Sequence, residues 1–137
     1  MAATRQQVVI TLDTALALVR RAVQEAETLG VAASVSVVDP SMTLLAFARA
    51  DGATPHSGDS SRRKADTAAS TRRATGWMGA DLALPLALAT DLKLTNILGG
   101  SPLVVGGAVA GAVGIAGGTP DQDAQIAGAT AAHAAAL

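Results

Sequence analysis

The apolar residues change their spacing near position 30, and this change restricts the possible folds more than any other feature. Up to that point they recur at the spacing of one helical face, at Leu12, Leu16, Val19, Val23, Ala26 and Leu29. From Val31 to Asp39 the apolar side chains instead alternate with Ser34 and Ser36, as in a β-strand with two unlike faces. The chain therefore predicts a helix followed directly by a strand.

The ends of these two elements carry signals of their own. Thr11 can cap the start of the helix, and Gly30 stands at its C-terminal cap position. Residues 40–43 have turn chemistry, and residues 44–49 return as a second strand that ends at an Asp51-Gly52 turn. The two strands therefore predict a hairpin.

The spacing of apolar residues and the turn residues in the rest of the sequence predict three helices and a second hairpin. The first of these helices has only alanine on its apolar stripe, and the last begins with a capping threonine followed by proline. The predicted elements are a helix from Ser57–Ser60 to about Ala74, a weaker helix over Leu82–Leu94 with Pro85 near its start, strands Leu103–Val105 and Ala108–Ala116 joined by Gly106-Gly107, and a helix from Thr119 to Ala136.

This order of elements predicts a single α/β (α+β) domain over residues 1–137. Because hairpins join neighbouring strands, the sheet is expected to be antiparallel. Alanine supplies 32 of the 137 residues, whereas Phe47 and Trp77 are the only large aromatic side chains. The core must therefore consist of aliphatic side chains packed closely against alanine. Only 15% of the residues are charged, against about 25% in typical soluble domains, so we expect apolar surface to be buried between subunits.

Charge and targeting signals exclude several classes of partner. The net charge is −1, so bulk attraction to nucleic acid or to an anionic membrane is not expected. No apolar run approaches the roughly 20 residues that span a bilayer, and the first ten residues lack the apolar core of a secretory signal. We expect a cytoplasmic protein with no nucleic-acid or membrane partner. The absence of Cys removes thiolate metal sites and cysteine nucleophiles.

Seven short motifs occur together in one order along nearly the whole chain. They are Val37-Val38-Asp39, Leu44-Leu45, Arg49 to Ala53, Lys64 to Ala68, Gly99 to Pro102, Gly111 to Gly118 and Asp121 to Asp123. In this order they resemble the haem-binding HbpS and GlcG family, which includes the C-terminal domain of PduO-type proteins. The resemblance implies a profilin-like α-β-α sandwich around an antiparallel sheet of about five strands. It also implies homo-oligomers such as octamers, with haem as a possible cofactor.

The resemblance also suggests where a ligand would bind. It places Ser101 at the position associated with haem contact, and we expect the ligand near Asp51, Lys64 and the segment Gly99-Gly100-Ser101-Pro102, with Arg62 as a further candidate for binding it. A hydroxyl is a weaker axial ligand for haem iron than imidazole. Haem binding through Ser101 would then depend on propionate contacts and apolar packing.

Lys64 and the arginines near it have structural as well as functional interpretations. Lys64 could anchor an anion, or pair with Asp51 to hold the helix against the hairpin, and the pairing is the favoured interpretation. Arg62 could receive a carboxylate, or could lie on a solvated helix face.

His56 and Asp39 are the candidate catalytic residues. His56 precedes the second helix and could ligate haem or a metal, act as a general base, or simply be an exposed loop histidine. No metal-ligand spacing is present, so no metal site is predicted. Three functions remain open at this stage: a homo-oligomeric binder of haem or a small carboxylate, a cofactor-free isomerase, hydratase or lyase that uses His56 or Asp39 as base, and an assembly protein without an active pocket.

Overall fold

The computed structural model describes residues 1–137 as four helices and one four-stranded sheet. In chain order the elements are α1 (Leu12–Thr28), β1 (Ser34–Val38), β2 (Leu44–Arg49), α2 (Ser57–Thr71), α3 (Ala80–Ala89), β3 (Gly100–Val105), β4 (Ala108–Ala116) and α4 (Pro120–Ala135). The strand order is β2-β1-β4-β3, and every neighbouring pair is antiparallel. The predicted α+β class is confirmed, with four strands in place of about five.

The main core lies between the sheet and the pair α1 and α4. Val35 and Val37 of β1 and Val113 and Ile115 of β4 point to this side, where they form one buried cluster with alanines of α1. Helix α2 packs on the opposite face, against β1, β4 and β3. The sheet is therefore the middle layer of an α-β-α sandwich. None of the helices is long and apolar enough to cross a membrane.

The face beneath α2 is built from small and hydroxylated residues. The Ser34 hydroxyl is hydrogen-bonded to Ser57 and the Ser36 hydroxyl to Ser61, each at 2.7 Å. Gly114 lies opposite Ser36 on β4, where a Cβ atom would collide with the backbone of Ser61. The serines that alternate along β1 are thus buried under α2, because paired hydroxyls satisfy one another's hydrogen bonds without water.

The predicted ends of the helices are confirmed where capping chemistry is strong. The Thr11 hydroxyl accepts a hydrogen bond from the backbone N–H of Thr14, and Thr119 forms a full capping box with Gln122. Helix α2 ends at Thr71, three residues before the predicted end, because Arg72 adopts a left-handed conformation.

Helix α3 lies earlier in the chain than the apolar spacing predicted. It covers Ala80–Ala89 in place of residues 82–94. The hydroxyl of Thr90 turns back to the carbonyl of Leu86, and Asp91 and Leu92 both have positive φ angles. Left-handed residues cannot continue an α-helix, so the leucines beyond Thr90 lie outside it.

Residues 77–97 form a projection that we call the apolar arm. At its base, the amide of Asn96 is hydrogen-bonded to the backbone N–H and carbonyl of Met78, at 2.9 and 3.1 Å. Helix α3 lies within this arm, contains no buried residue and makes no substantial packing contact with another helix or strand. The arm is therefore ordered at its base while its helix stands away from the core.

Candidate functional site

The N-termini of α2 and α4 open onto the same cleft, which has a volume of about 290 Å³. Thr54, His56 and Ser60 line it from the start of α2, and Gly117 and Gly118 line it from the turn before α4. The positive ends of the two helix dipoles meet here and favour negative charge, although at α4 Pro120 has no N–H and the Gln122 N–H is already capped by Thr119. The cleft is therefore suited to an anionic group.

A buried ion pair lies at the inner end of this cleft. Lys64 and Asp123 are only 4% and 2% exposed, and the Lys64 Nζ atom lies 3.0 Å from Asp123 Oδ2. The same ammonium donates to the carbonyl of Ile115 at 2.8 Å, while the Gly118 N–H donates to Asp123 Oδ1 at 2.9 Å. The pair joins α2, β4 and α4, and each charge is met by a partner.

Two glycines allow the chain to come this close to Lys64. At Gly99, where φ is +127°, an added Cβ would lie 2.6 Å from the carbonyl oxygen of Ile115 and 3.0 Å from Lys64 Cδ. A Cβ at Gly100 would collide with the backbone of Lys64, and its N–H donates to the Thr75 hydroxyl at 2.9 Å. The structure therefore brings Lys64, Gly99 and Gly100 together. The backbone of the two glycines packs against the backbone and the aliphatic side-chain carbons of Lys64.

The predicted pairing of Lys64 with Asp51 is wrong. Asp51 is exposed in the turn after β2, whereas Lys64 contacts β4 and α4. Strand β1 separates β2 from β4 in the sheet, so the Asp51 turn lies at one edge and the lysine near the other. The partner is Asp123, which ends the last of the seven motifs and was not assigned a pairing from the sequence.

His56 lies at the rim of the cleft with an exposed side chain. It is the N-cap residue of α2, yet its side chain makes no capping bond and no other hydrogen bond within the chain. Neither ring nitrogen is engaged within the chain, so the unprotonated nitrogen of the neutral imidazole is free to bind a metal centre or a ligand. His56 is the one unpaired nitrogen base among the cleft residues.

Asp39 does not lie near His56 in the structure. It follows the end of β1, whereas the bond between Ser34 and Ser57 places His56 near the start of that strand, about 16 Å away by strand rise. Asp39 Oδ1 accepts hydrogen bonds from the backbone N–H groups of Ser41 and Thr43, at 2.8 and 3.0 Å. This carboxylate therefore holds the turn between β1 and β2, in which Met42 adopts a positive φ of 65°.

Arg62 also lies outside the cleft. Its guanidinium pairs with Asp66 at 3.1 Å and donates to the carbonyl of Met42 at 2.9 Å. Burial raises the pKa of the Asp66 carboxyl, while the hydrogen bond and charge of Arg62 oppose that shift. Arg62 therefore serves as the counter-charge of a buried acid and ties α2 to the first hairpin.

Ser101 and Pro102 lie on β3 with unlike orientations. Gly100 is opposite Gly114 and faces α2, whereas Ser101 is opposite Val113, whose side chain belongs to the core on the α4 side. Because neighbouring residues of a strand face opposite sides, Ser101 points away from Lys64 and His56. The predicted segment 99–102 is therefore divided between two faces of the sheet.

Sequence and structure comparisons agree on one family. The family model described as haem degrading protein HbpS-like matches residues 10–132. Protein GlcG of Escherichia coli K12 is 37% identical over 112 residues, which cover 81% of this chain and 84% of that protein.

Two solved structures are similar over nearly the full chain. Klebsiella pneumoniae protein ORFY has a TM-score of 0.92 and 31% identity, covering 100% of this chain and 98% of its own. The PduOC:heme complex has a TM-score of 0.82 and 30% identity, with coverages of 93% and 95%. Both similarities extend across all layers of the sandwich.

Proposed function

The chain belongs to the HbpS-like family, and on that premise we propose that it is a homo-oligomeric protein that binds haem or a small carboxylate. We place the ligand in the cleft between the N-termini of α2 and α4. The observation that carries the proposal is the meeting of two helix N-termini beside a histidine with no partner in the chain. A carboxylate, or a haem propionate, is the anionic group that such a cleft favours.

The residues of one chain fit part of a haem group. His56 supplies the imidazole nitrogen that haem iron binds well, and its freedom from internal hydrogen bonds supports this role. The Lys64 ammonium is already satisfied by Asp123 and Ile115, so it does not bind a propionate directly. Bound haem would supply an iron centre for redox or ligand chemistry. The protein would hold the iron through the His56 nitrogen and the propionates through the helix N-termini.

The cleft volume sets a limit on what one chain encloses. At about 290 Å³ it lies at the lower end of ligand pockets, which run from roughly 300 to 1,000 Å³. A small carboxylate fits inside it, whereas a porphyrin would extend beyond its rim. The proposal therefore predicts moderate affinity for haem in a single chain.

Haemin titration followed by the Soret band tests the assignment. We expect a saturable shift with the wild type and its loss in His56→Ala, because the imidazole is the expected iron ligand. His133→Ala is the matched control, since His133 is the other histidine and lies near the end of α4. Ser101→Ala should bind as the wild type does. A shift that persists in His56→Ala and disappears in Ser101→Ala would contradict the proposed site.

Calorimetry with a small dicarboxylate such as succinate separates anion binding from haem binding. We expect heat of binding in the wild type that weakens when Ser60→Asp adds a negative charge to the wall of the cleft at a partly exposed position of α2. Helix dipoles attract anions by electrostatics, so the measured affinity should fall as salt is raised. Heat that is independent of salt and of this substitution would place the carboxylate elsewhere.

A second function, enzymatic turnover of a carboxylate, is favoured by the same free imidazole. His56 is exposed beside the Ser60 hydroxyl and could remove a proton from the carbon next to a bound carboxylate. Asp39 is too distant to assist, so His56 would act as the only base. Exchange of that hydrogen for deuterium in heavy water, followed by NMR, tests this. Absence of exchange across a panel of small carboxylic acids would exclude it for that panel.

A further inference from the structure

The apolar arm exposes an unusual amount of aliphatic surface. Its large side chains are between about two fifths and two thirds exposed: Trp77 38%, Leu82 40%, Leu84 64%, Leu88 63%, Leu92 55% and Ile97 57%. Helix α3 is apolar on all sides, a composition typical of helices that are buried. Within the chain, however, none of its residues is buried. A single copy of the chain therefore leaves the apolar side chains of the arm without packing partners.

The arm is also held in place before any partner arrives. Asn96 closes its base on Met78, and the Thr95 N–H donates to the Thr67 hydroxyl at 2.9 Å. Arg63 of α2 donates to the carbonyl of Leu92. A preformed surface loses little conformational entropy on association, so its apolar area contributes more fully to binding.

We propose that the apolar arm is the surface through which two copies of this chain associate. This inference rests on the proposed homo-oligomer and assigns it an interface. Taking roughly 200 Å² for a fully exposed leucine and up to about 250 Å² for tryptophan, the six side chains leave about 600 Å² per chain. Two such arms facing each other would bury about 1,200 Å², the lower limit for a specific interface.

The chemistry of the arm favours a second copy over a charged partner. Asp81, Asp91 and Lys93 are its only charged residues, and their net charge of −1 gives the surface little to attract nucleic acid, an acidic peptide or a lipid headgroup. An identical arm offers the same largely aliphatic surface. Closed symmetric pairing of like surfaces is the most common form of association between identical chains.

The arm is continuous with the candidate cleft. Ile97, at its C-terminal end, lines that cleft together with His56 and Lys64, and remains 57% exposed. A second copy seated on the arm would cover Ile97 and add an apolar wall next to His56. Association would then strengthen binding of a ligand larger than the 290 Å³ cleft, and the ligand would in turn favour association.

Light scattering of an arm variant tests the interface. Leu84→Glu/Leu88→Glu should fold normally, since neither leucine is buried, and should have at most half the wild-type mass at the same micromolar concentration. Leu137→Glu is the matched control, because Leu137 is equally exposed, at 62%, but lies at the C-terminus. It should keep the wild-type mass. A wild type of 13.5 kDa, or an arm variant of unchanged mass, would overturn the inference.

Haemin affinity tests the coupling separately. We expect the arm variant to keep its circular dichroism spectrum and bind haemin at least tenfold more weakly than the wild type and Leu137→Glu. An arm variant with reduced mass but unchanged haemin affinity would refute the shared wall and leave the interface standing. If the wild type binds no haemin while the arm variant still loses mass, haem binding is wrong and the interface is retained.

Discussion

Replacing Lys64 tests whether the buried ion pair holds the sandwich together. In Lys64→Met the Asp123 carboxylate would remain buried without its cation, a change that typically costs about 3–5 kcal/mol. Asp123 keeps the Gly118 N–H and its place in the first turns of α4, and both stabilise a negative charge. We therefore expect a loss near the lower value, about 3 kcal/mol. For a chain of this length that corresponds to a fall in Tm of roughly 10–15 °C.

Thermal and urea unfolding, followed by circular dichroism at one fixed protomer concentration, measures this loss. The double variant Lys64→Met/Asp123→Asn removes the unpaired charge and should recover part of the stability. Lys64→Met/Asp51→Asn is its control and should recover none, because Asp51 is exposed on the far side of β1. A Lys64→Met protein that melts within about 2 °C of the wild type, or rescue by Asp51→Asn, would refute the reasoning.

Three further predictions concern packing and pH. Gly114→Ala should lower the free energy of unfolding by about 3 kcal/mol or more, because its Cβ collides with the backbone of α2; a change below 1 kcal/mol in urea unfolding would contradict this packing. Gly128→Ala lies at an exposed position of α4 with open space around it, so it should raise the free energy of unfolding by about 0.5–1 kcal/mol. A loss of stability in the same urea assay would contradict this. Burial raises the pKa of Asp66, so the folded state binds this proton more tightly than the unfolded state, and the wild type should lose stability relative to Asp66→Asn as the pH rises from about 4 towards neutrality. A difference in unfolding free energy that is constant with pH, or that grows in favour of the wild type, would contradict it.

Local patterns predicted the parts of this fold that depend on local chemistry. The spacing of apolar residues and the capping threonine placed α1, and the threonine, proline and glutamine at 119, 120 and 122 placed the start of α4. Strands β2 and β4 have the predicted bounds. These elements are specified by hydrogen bonds and periodicity within a few residues, which a sequence displays directly.

The candidate site depends on contacts that the sequence does not display. Lys64 on an alanine-faced helix indicated a buried acid partner, but the choice between Asp51 and Asp123 depends on strand order. The alternation of Ser34 and Ser36 indicated two unlike faces, but only the structure shows matching hydroxyls on α2. Two features of the sequence were consistent with the correct partner. Asp123 is an acid near the start of α4, and Gly99 is a residue without a side chain where Lys64 and Asp123 come close to the backbone.

A crystal structure of the protein grown with haemin would test the binding site most directly. We expect the iron bound to the His56 imidazole, the propionates directed to the N-termini of α2 and α4, and the macrocycle resting on Ile97 beside a second copy of the arm. Haemin bound on the opposite face of the sheet at Ser101, with an unliganded His56, would contradict the account.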